Sequence, residues 1–427
     1  MIFVIIVMST LILFDTLWWW RADRWARNRV KRRGWRALVG AWALFQIGFI
    51  FFAIFSRLVS PELDAATPRA ILSVSFIWHL IILPGALVMM LGEGVGRSIL
   101  GLGRWVWTKV ASAKPQAGEA REVASVPGDA SVREDASVGK VNSVVEHALS
   151  RRAFLGTTIA TVPPLVTVLA TGRAMATVED FRVRRLDVVF PGLPVDLDGL
   201  SIAHVTDVHV GRFTRGKVLG KIAEATNALR PDLVMMTGDL INISIEDLPA
   251  AIELVKKMDA RFGVYLCEGN HDRIDDGVRF EREVKASGIP LLLDEIAPLR
   301  VKGHPVDVLG VKWARGRAGY NPDALANLAA RRRDGAWSVL LAHHPHAFDT
   351  ARTLDIPLTL AGHTHGGQLH LSEQLGFGPF MYRYWSGLYQ KPDENHAACV
   401  VSNGVGNWFP LRINAPAEIV HVVLHRA

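Results

Sequence analysis

Histidine, aspartate and asparagine gather in five short blocks in the second half of the chain: "TDVH" (Asp207, His209), "TGDL" (Asp239), "GNHD" (Asn270, His271), "LAHHP" (His343) and "AGHTH" (His363, His365). These side chains offer imidazole nitrogens and carboxylate or amide oxygens, and none offers a thiolate. Such donors suit Mn, Fe, Zn or Co rather than a closed structural zinc. Asp207, His209, Asp239, Asn270, His343, His363 and His365 suffice for two divalent ions about 3.5–4 Å apart that share one carboxylate. An Asp-x-His at a strand end points both side chains to one face, and Asp239 in the next block is placed to bridge. No block decides alone. The His-x-His of "LAGHTHGGQLHL" (360–371) fits a solvent-facing glycine turn as well as a ligand loop.

Apolar periodicity indicates what holds the blocks. "LSIAHVTD" (200–207) reads as a buried strand, "GKVLGKIAEATNALR" (216–230) as a helix and "DLVMMTGD" (232–239) as a strand. "LPAAIELVKKMDARF" (248–262) then reads as a helix, and "GVYLCEGNHD" (263–272) as a strand with its loop. Strand and helix alternate, so the fold class is α/β with a parallel sheet. The polar residues fall at the carboxyl ends of the strands, where open α/β sheets place their sites.

In this order, each at the end of an apolar strand, the blocks closely resemble the calcineurin-like metallophosphoesterase superfamily over about residues 180–425. "GHTHGGQ" and "GVGNWFPLRINAPAEI" (404–419) resemble its bacterial membrane-attached or twin-arginine-exported branch, which includes enzymes acting on UDP-diacylglucosamine. The resemblance implies an αββα two-sheet sandwich. It implies one ion on Asp207, His209, Asp239 and His365, and another on Asp239, Asn270, His343 and His363, with manganese favoured. It also implies attack by a metal-activated hydroxide, with His271 unliganded and catalytic, protonating the leaving oxygen. Asp272 either orients His271 or is an exposed loop acid.

Other residues receive plainer readings. His204 sits mid-strand as a buried, hydrogen-bonded residue. His344 rivals His343, but the family's His-x-Pro spacing favours His343; His346 lies in the same turn, and His370 falls outside the ligand set. Arg412 in "FPLRINAP" either holds substrate phosphate as a bidentate donor or forms a surface ion pair. Arg331-Arg332-Arg333 reads as a solvated helix end. The glycines of the "GHTHGG" loop would let the backbone approach the ions and the phosphate.

The chain's formal charge of +7 is unevenly spread. The first 171 residues carry 19 Lys and Arg against 11 Asp and Glu, and the rest carry 29 against 30. A balanced second part lacks the basic face of a bulk nucleic-acid binder. With two cysteines, Cys267 and Cys399, no disulfide framework is encoded, though a single bridge is conceivable.

Three apolar runs, Met1–Trp20, Ala37–Ser56 and Ala70–Gly92, are each long enough to cross about 30 Å of hydrocarbon. The first ends in Trp18-Trp19-Trp20, as an interfacial belt does, and lacks the basic start of a signal peptide. "RADRWARNRVKRRGWR" between the first two runs holds eight basic residues and one acidic residue, which places that loop in the cytoplasm. Residues 1–110 therefore read as three transmembrane helices and 111–149 as a flexible cytoplasmic linker. Residues 150–176, "SRRAFLGTTIATVPPLVTVLATGRAMA", read as a twin-arginine-like signal or a fourth membrane segment broken by Pro163-Pro164, either cleaved at "AMA" or retained. Residues 177–427 are then the metallophosphoesterase domain, on the outer side of a bacterial cytoplasmic membrane.

The function expected is a membrane-anchored phosphoesterase with two divalent ions, hydrolysing a phosphodiester or pyrophosphate on a lipid-linked or envelope substrate. The partners expected are membrane lipids, a phosphorylated small-molecule or lipid-linked substrate and the twin-arginine export machinery, with no nucleic acid. Two alternatives stand beside it: a cyclic-nucleotide phosphodiesterase or nuclease, and a non-catalytic binding scaffold.

Overall fold

The computed structural model describes residues 2–27, 32–59, 67–112, 136–316, 318–372, 375–390 and 397–427. They form two compact units, Met1–Thr171 and Gly172–Ala427.

The first unit is helical. Helix α1 (Ile2–Ala26) carries the first apolar run and α2 (Arg32–Val59) the second. The third run is one helical path: α3 (Arg69–Ile77), a π turn over Trp78–Ile82, then α4 (Leu83–Ser112). Asp15, the lone acid of the first run, is fully buried. It accepts from Trp78 Nε1 (2.7 Å) and pairs with His79 Nε2 (2.9 Å), which explains a charged residue there.

Helix α5 (Ala136–Thr177) starts inside the stretch expected to be a linker, most of which lies outside the described residues. It is not broken at Pro163-Pro164. Proline at 163 removes the N–H that would bond the Ile159 carbonyl. The indole Nε1 of Trp18 donates to that oxygen instead, at 3.0 Å, so the helix continues with the carbonyl satisfied. Among the described residues, three helical stretches are long and apolar enough to cross a membrane: Arg33–Ala53, Arg69–Leu102 and Gly156–Thr177.

In the second unit the expected strands and helices form with shorter bounds: β2 (Ser201–Val205), α6 (Lys217–Ala228), β3 (Leu233–Thr237), α7 (Leu248–Lys256) and β4 (Val264–Cys267). Strands β2, β3 and β4 are parallel, with Ile202 opposite Leu233 and Val234 opposite Val264. The first and last strands, β1 (Arg182–Phe190) and β13 (Glu418–Arg426), complete this sheet in the order β1-β13-β2-β3-β4. The second sheet runs β11-β12-β8-β7-β6-β5. Its members are β5 (Glu295–Val301), β6 (His304–Gly310), β7 (Trp337–Leu341), β8 (Leu358–Ala361), β11 (Gly387–Gln390) and β12 (Ala398–Val401). A small hairpin, β9 (His370–Ser372) and β10 (Leu375–Gly376), lies between β8 and β11 in sequence.

The sheets face each other across a core that includes Ile202, Met235, Val308, Leu341, Leu360 and Val422. The outer face of the first sheet packs Val205, Val234 and Met236 against Ile222 and Leu254 of α6 and α7, and against Phe280 and Val284 of α8 (Gly277–Ala286). The second sheet packs Leu309 and Leu340 against Leu325 and Leu328 of α9 (Pro322–Ala330) and Ala347 of α10 (Ala347–Ala351). The layers are therefore α, β, β, α, as expected. Arg331 and Arg333 are exposed just past α9, as expected of a solvated helix end, but Arg332 and Arg333 are also pinned to the fold. Arg333 Nε donates to the buried Asp307 (2.7 Å), and Arg332 caps the Leu354 carbonyl (2.7 Å). Cys267 and Cys399 are buried free thiols.

Candidate metal centre

Five strands end in the loops that carry the blocks. β2 delivers Asp207 and His209, β3 delivers Asp239, β4 delivers Asn270 and His271, β7 delivers His343, and β8 delivers His363 and His365. Five of these residues hold left-handed backbone: Asp207 (φ 52°), His209 (49°), Asp239 (52°), His363 (70°) and His365 (50°). Non-glycine residues pay about 1–3 kcal/mol for strained conformations of this kind, which persist only when surrounding contacts fix them. Here Asp207 N donates to the Gly238 carbonyl (3.1 Å) and His209 N to the Asp239 carbonyl (3.0 Å), locking the β2 loop to the β3 loop.

The side chains form two groups that meet at one carboxylate. In the first, His209 Nε2 lies 2.9 Å from His365 Nε2, and His365 Nε2 lies 3.3 Å from Asp207 Oδ1. In the second, His343 Nε2 lies 3.0 Å from Asn270 Oδ1 and 3.1 Å from His363 Nδ1. Asp239 Oδ2 stands 3.5 Å from His209 Nε2 and 3.3 Å from His343 Nε2, between the two. All seven expected ligand positions converge.

Charge and protonation favour cations here. His343 Nδ1 donates to the Thr237 carbonyl (2.7 Å), so whenever the ring is neutral its Nε2 lone pair points at the lone pairs of Asn270, His363 and Asp239. Converging lone pairs repel unless a proton or a cation lies among them. Burial opposes charge on His343, yet Asp239 outweighs it and raises its pKa to about 9. Burial also opposes ionisation of Asp239, but His343 and then His209 hold the carboxyl well below its ordinary value. Burial pushes His363 down to about 3 and holds His209 and His365 well below normal, so these rings present unprotonated nitrogens, the form a cation requires. Burial raises Asp207 to about 6. This donor set fits two divalent ions.

His271 joins through its own contacts. Its N–H donates to Asp239 Oδ1 (2.8 Å) and its Nδ1 donates to the Asn242 carbonyl (2.5 Å). A ring nitrogen of His271 lies within 4.8 Å of ligand atoms of His209 and Asp239.

Several expectations change. Asp272 neither touches His271 nor is exposed. It is buried and accepts from Gly269 N (2.8 Å) and Ile241 N (3.0 Å), tying the Asn270 loop to the Asp239 loop. Burial, reinforced by Asp239, raises its pKa to about 8. Arg412 is not open to a substrate phosphate, because its guanidinium is spent inside the protein. Nε donates to Asn407 Oδ1 (2.7 Å), Nη1 to the Asn403 and Ala415 carbonyls, and Nη2 to the Gly406 carbonyl and His365 Nδ1 (3.0 Å). The close glycine is Gly362, where a Cβ would overlap the Asp207 carboxylate; Gly366 and Gly367 instead press on Asn403 and Gly378. His204 is buried against Thr237 Oγ1 (2.9 Å), and His370 stacks on Trp385 with centroids 4.9 Å apart, away from both groups.

Some contributors carry no sequence signal. Thr206 Oγ1 donates to Asp207 Oδ2 (2.8 Å), and the carbonyls of Thr237 and Asn242 orient His343 and His271. Trp313 stands with its ring centroid 5.5 Å from His343 and 5.6 Å from His363.

A sandwich whose strand ends gather imidazoles around carboxylates is the frame of a metal-binding protein. Residues 200–367 match the family profile of calcineurin-like phosphoesterases. A Bacillus subtilis protein, the uncharacterized metallophosphoesterase YkuE, is 30% identical over 239 residues, covering 53% of this chain and 79% of its own. A zebrafish transmembrane protein with metallophosphoesterase domain is 31% identical over 294 residues, 66% of this chain and 65% of its own. The Escherichia coli phosphodiesterase YaeI is 26% identical over 234 residues, 52% of this chain and 82% of its own. The chain belongs to the calcineurin-like metallophosphoesterase family. It spans slightly less than two thirds of the zebrafish relative.

Proposed function

We propose that the chain is a membrane-anchored phosphoesterase that uses two divalent ions to hydrolyse a phosphodiester or pyrophosphate carried by a lipid or another envelope molecule. The observation that carries this reading is Asp239 Oδ2, within 3.5 Å of His209 Nε2 on one side and 3.3 Å of His343 Nε2 on the other. Asp207, His209, Asp239 and His365 would hold one ion, and Asp239, Asn270, His343 and His363 the other, with Mn the first choice among Mn, Fe, Zn and Co. Bound there, the ions supply Lewis acidity toward phosphoryl oxygen and water.

The protein's own groups do the rest. The Thr237 carbonyl fixes the tautomer and direction of His343. The Asn242 carbonyl holds His271 Nδ1–H, so a protonated ring gives its Nε2–H to the leaving oxygen. Asp272 keeps the Asn270 and Asp239 loops at fixed separation.

The anchor reading draws on the apolar helices and on the basic loop between α1 and α2. With that loop in the cytoplasm, the twin-arginine-like segment 150–176 sends the second unit outward. A tethered enzyme meets lipid-borne esters in two dimensions, which favours an envelope substrate over a soluble one. The full chain in detergent, stripped with chelator and reloaded with Mn²⁺, should regain hydrolysis of bis(p-nitrophenyl) phosphate. Absence of turnover with Mn, Fe, Zn and Co alike would sink the enzymatic reading. An alkaline phosphatase fusion after residue 180 should be active; an inactive one reverses the orientation.

A further inference from the structure

Next to the "GHTHGG" loop the chain exposes a compact apolar ridge that neither core uses. Helix α11 (Phe377–Met381) presents Phe380 at 88%, Met381 at 61% and Phe377 at 56% exposure. Single exposed apolar residues are ordinary, but three large ones on one short helix are not. The ridge is rigidly joined to the candidate metal centre. Gly378 packs on the Gly366 carbonyl (3.3 Å from a Cβ placed there), and Thr364 Oγ1 donates to the Trp385 carbonyl (2.7 Å). The Tyr382 ring stands 5.7 Å from His363.

We propose that this ridge docks into the surface of the bilayer, seating the metal centre at the level of lipid headgroups. Composition matches that occupant. Leu375 to Ser386 contains Phe, Met, Tyr and Trp, no acidic residue, and one basic residue, Arg383, so nothing in it repels an anionic lipid surface. Reach also matches. Four residues separate the end of α5 at Thr177 from the start of β1 at Arg182, and four extended residues span about 14 Å. If α5 crosses the membrane, the second unit is never far from the bilayer. The inference rests on the membrane-anchored reading above, and its test does not use turnover.

The full chain is placed in nanodiscs of phosphatidylcholine and phosphatidylglycerol, and an environment-sensitive fluorophore is attached to an introduced cysteine. The native Cys267 and Cys399 are buried and stay unlabelled. Three exposed sites are compared: Leu44→Cys in α2, Phe380→Cys on the ridge and Val278→Cys on α8. With nitroxide-bearing lipids, labels at 44 and 380 should both be quenched, the second at least threefold more than the label at 278. Quenching at 44 without quenching at 380 overturns the docking while leaving the anchor intact. Absence of quenching at 44 removes the anchor and the docking together. A 380 label that ignores nitroxide lipid but is quenched by a second labelled copy assigns the ridge to self-association, which also overturns the proposal.

Discussion

Asp272→Ala isolates the least anticipated feature of the centre. Asp272 accepts from Gly269 N at 2.8 Å and Ile241 N at 3.0 Å while almost fully buried. Truncation leaves two buried backbone donors unpaired, at about 1–3 kcal/mol each, so the second unit should lose about 4 kcal/mol. For a unit of this size each kcal/mol moves Tm by about 2–4 °C, giving a fall of about 8–16 °C. Asp272→Asn keeps one acceptor oxygen and should lose about half as much. Scanning calorimetry of the full chain in detergent reads the shift, and elemental analysis reads metal content, which should drop because the two ligand loops are no longer tied. A fall below about 2 °C with full metal content refutes the reasoning. So does a loss of turnover at unchanged Tm, which is what an acid acting only to orient His271 would give.

Three further outcomes follow from the same geometry. His271→Ala should lower turnover by about 10²–10⁴ for an alkyl ester and far less for a p-nitrophenyl ester, whose leaving group needs no proton, with metal content unchanged; equal losses on both esters remove the proton-donor role. Arg412→Met should destabilise the second unit while leaving KM for bis(p-nitrophenyl) phosphate within about twofold, since the guanidinium donates only inward; a tenfold rise in KM restores the phosphate-binding role. Gly362→Ala should displace the Asp207 carboxylate, costing about 1–3 kcal/mol, and elemental analysis should show metal lost; full metal content shows that the loop accommodates the methyl group.

The residues that cluster at the candidate centre were legible in the sequence because polar residues interrupt strongly apolar strands. "IAHVTDVH" and "VMMTGD" show where β2 and β3 end, and Asp207, His209 and Asp239 sit just past those ends. Layering was legible only through family resemblance, because β13 returns from the far end of the chain to lie between β1 and β2. Periodicity carries no trace of that long-range pairing. Left-handed backbone at Asp207, His209 and His365 was hidden as well, since ordinary residues there give no warning of it. Asp272 and Arg412 were misjudged for one reason. A charged residue beside a motif suggests chemistry, whereas burial and orphaned backbone groups, visible only in three dimensions, made both of them structural. At Pro163 the local rule predicted a break, and an indole from a helix more than a hundred residues away removed the need for one.

The central claim is that Asp239 is shared by two ions. Metal content of the reloaded full chain by inductively coupled plasma mass spectrometry tests it most directly. Wild type should hold about two Mn per chain, and Asp239→Asn should retain well under one. One ion or fewer in wild type, or two in Asp239→Asn, contradicts the account.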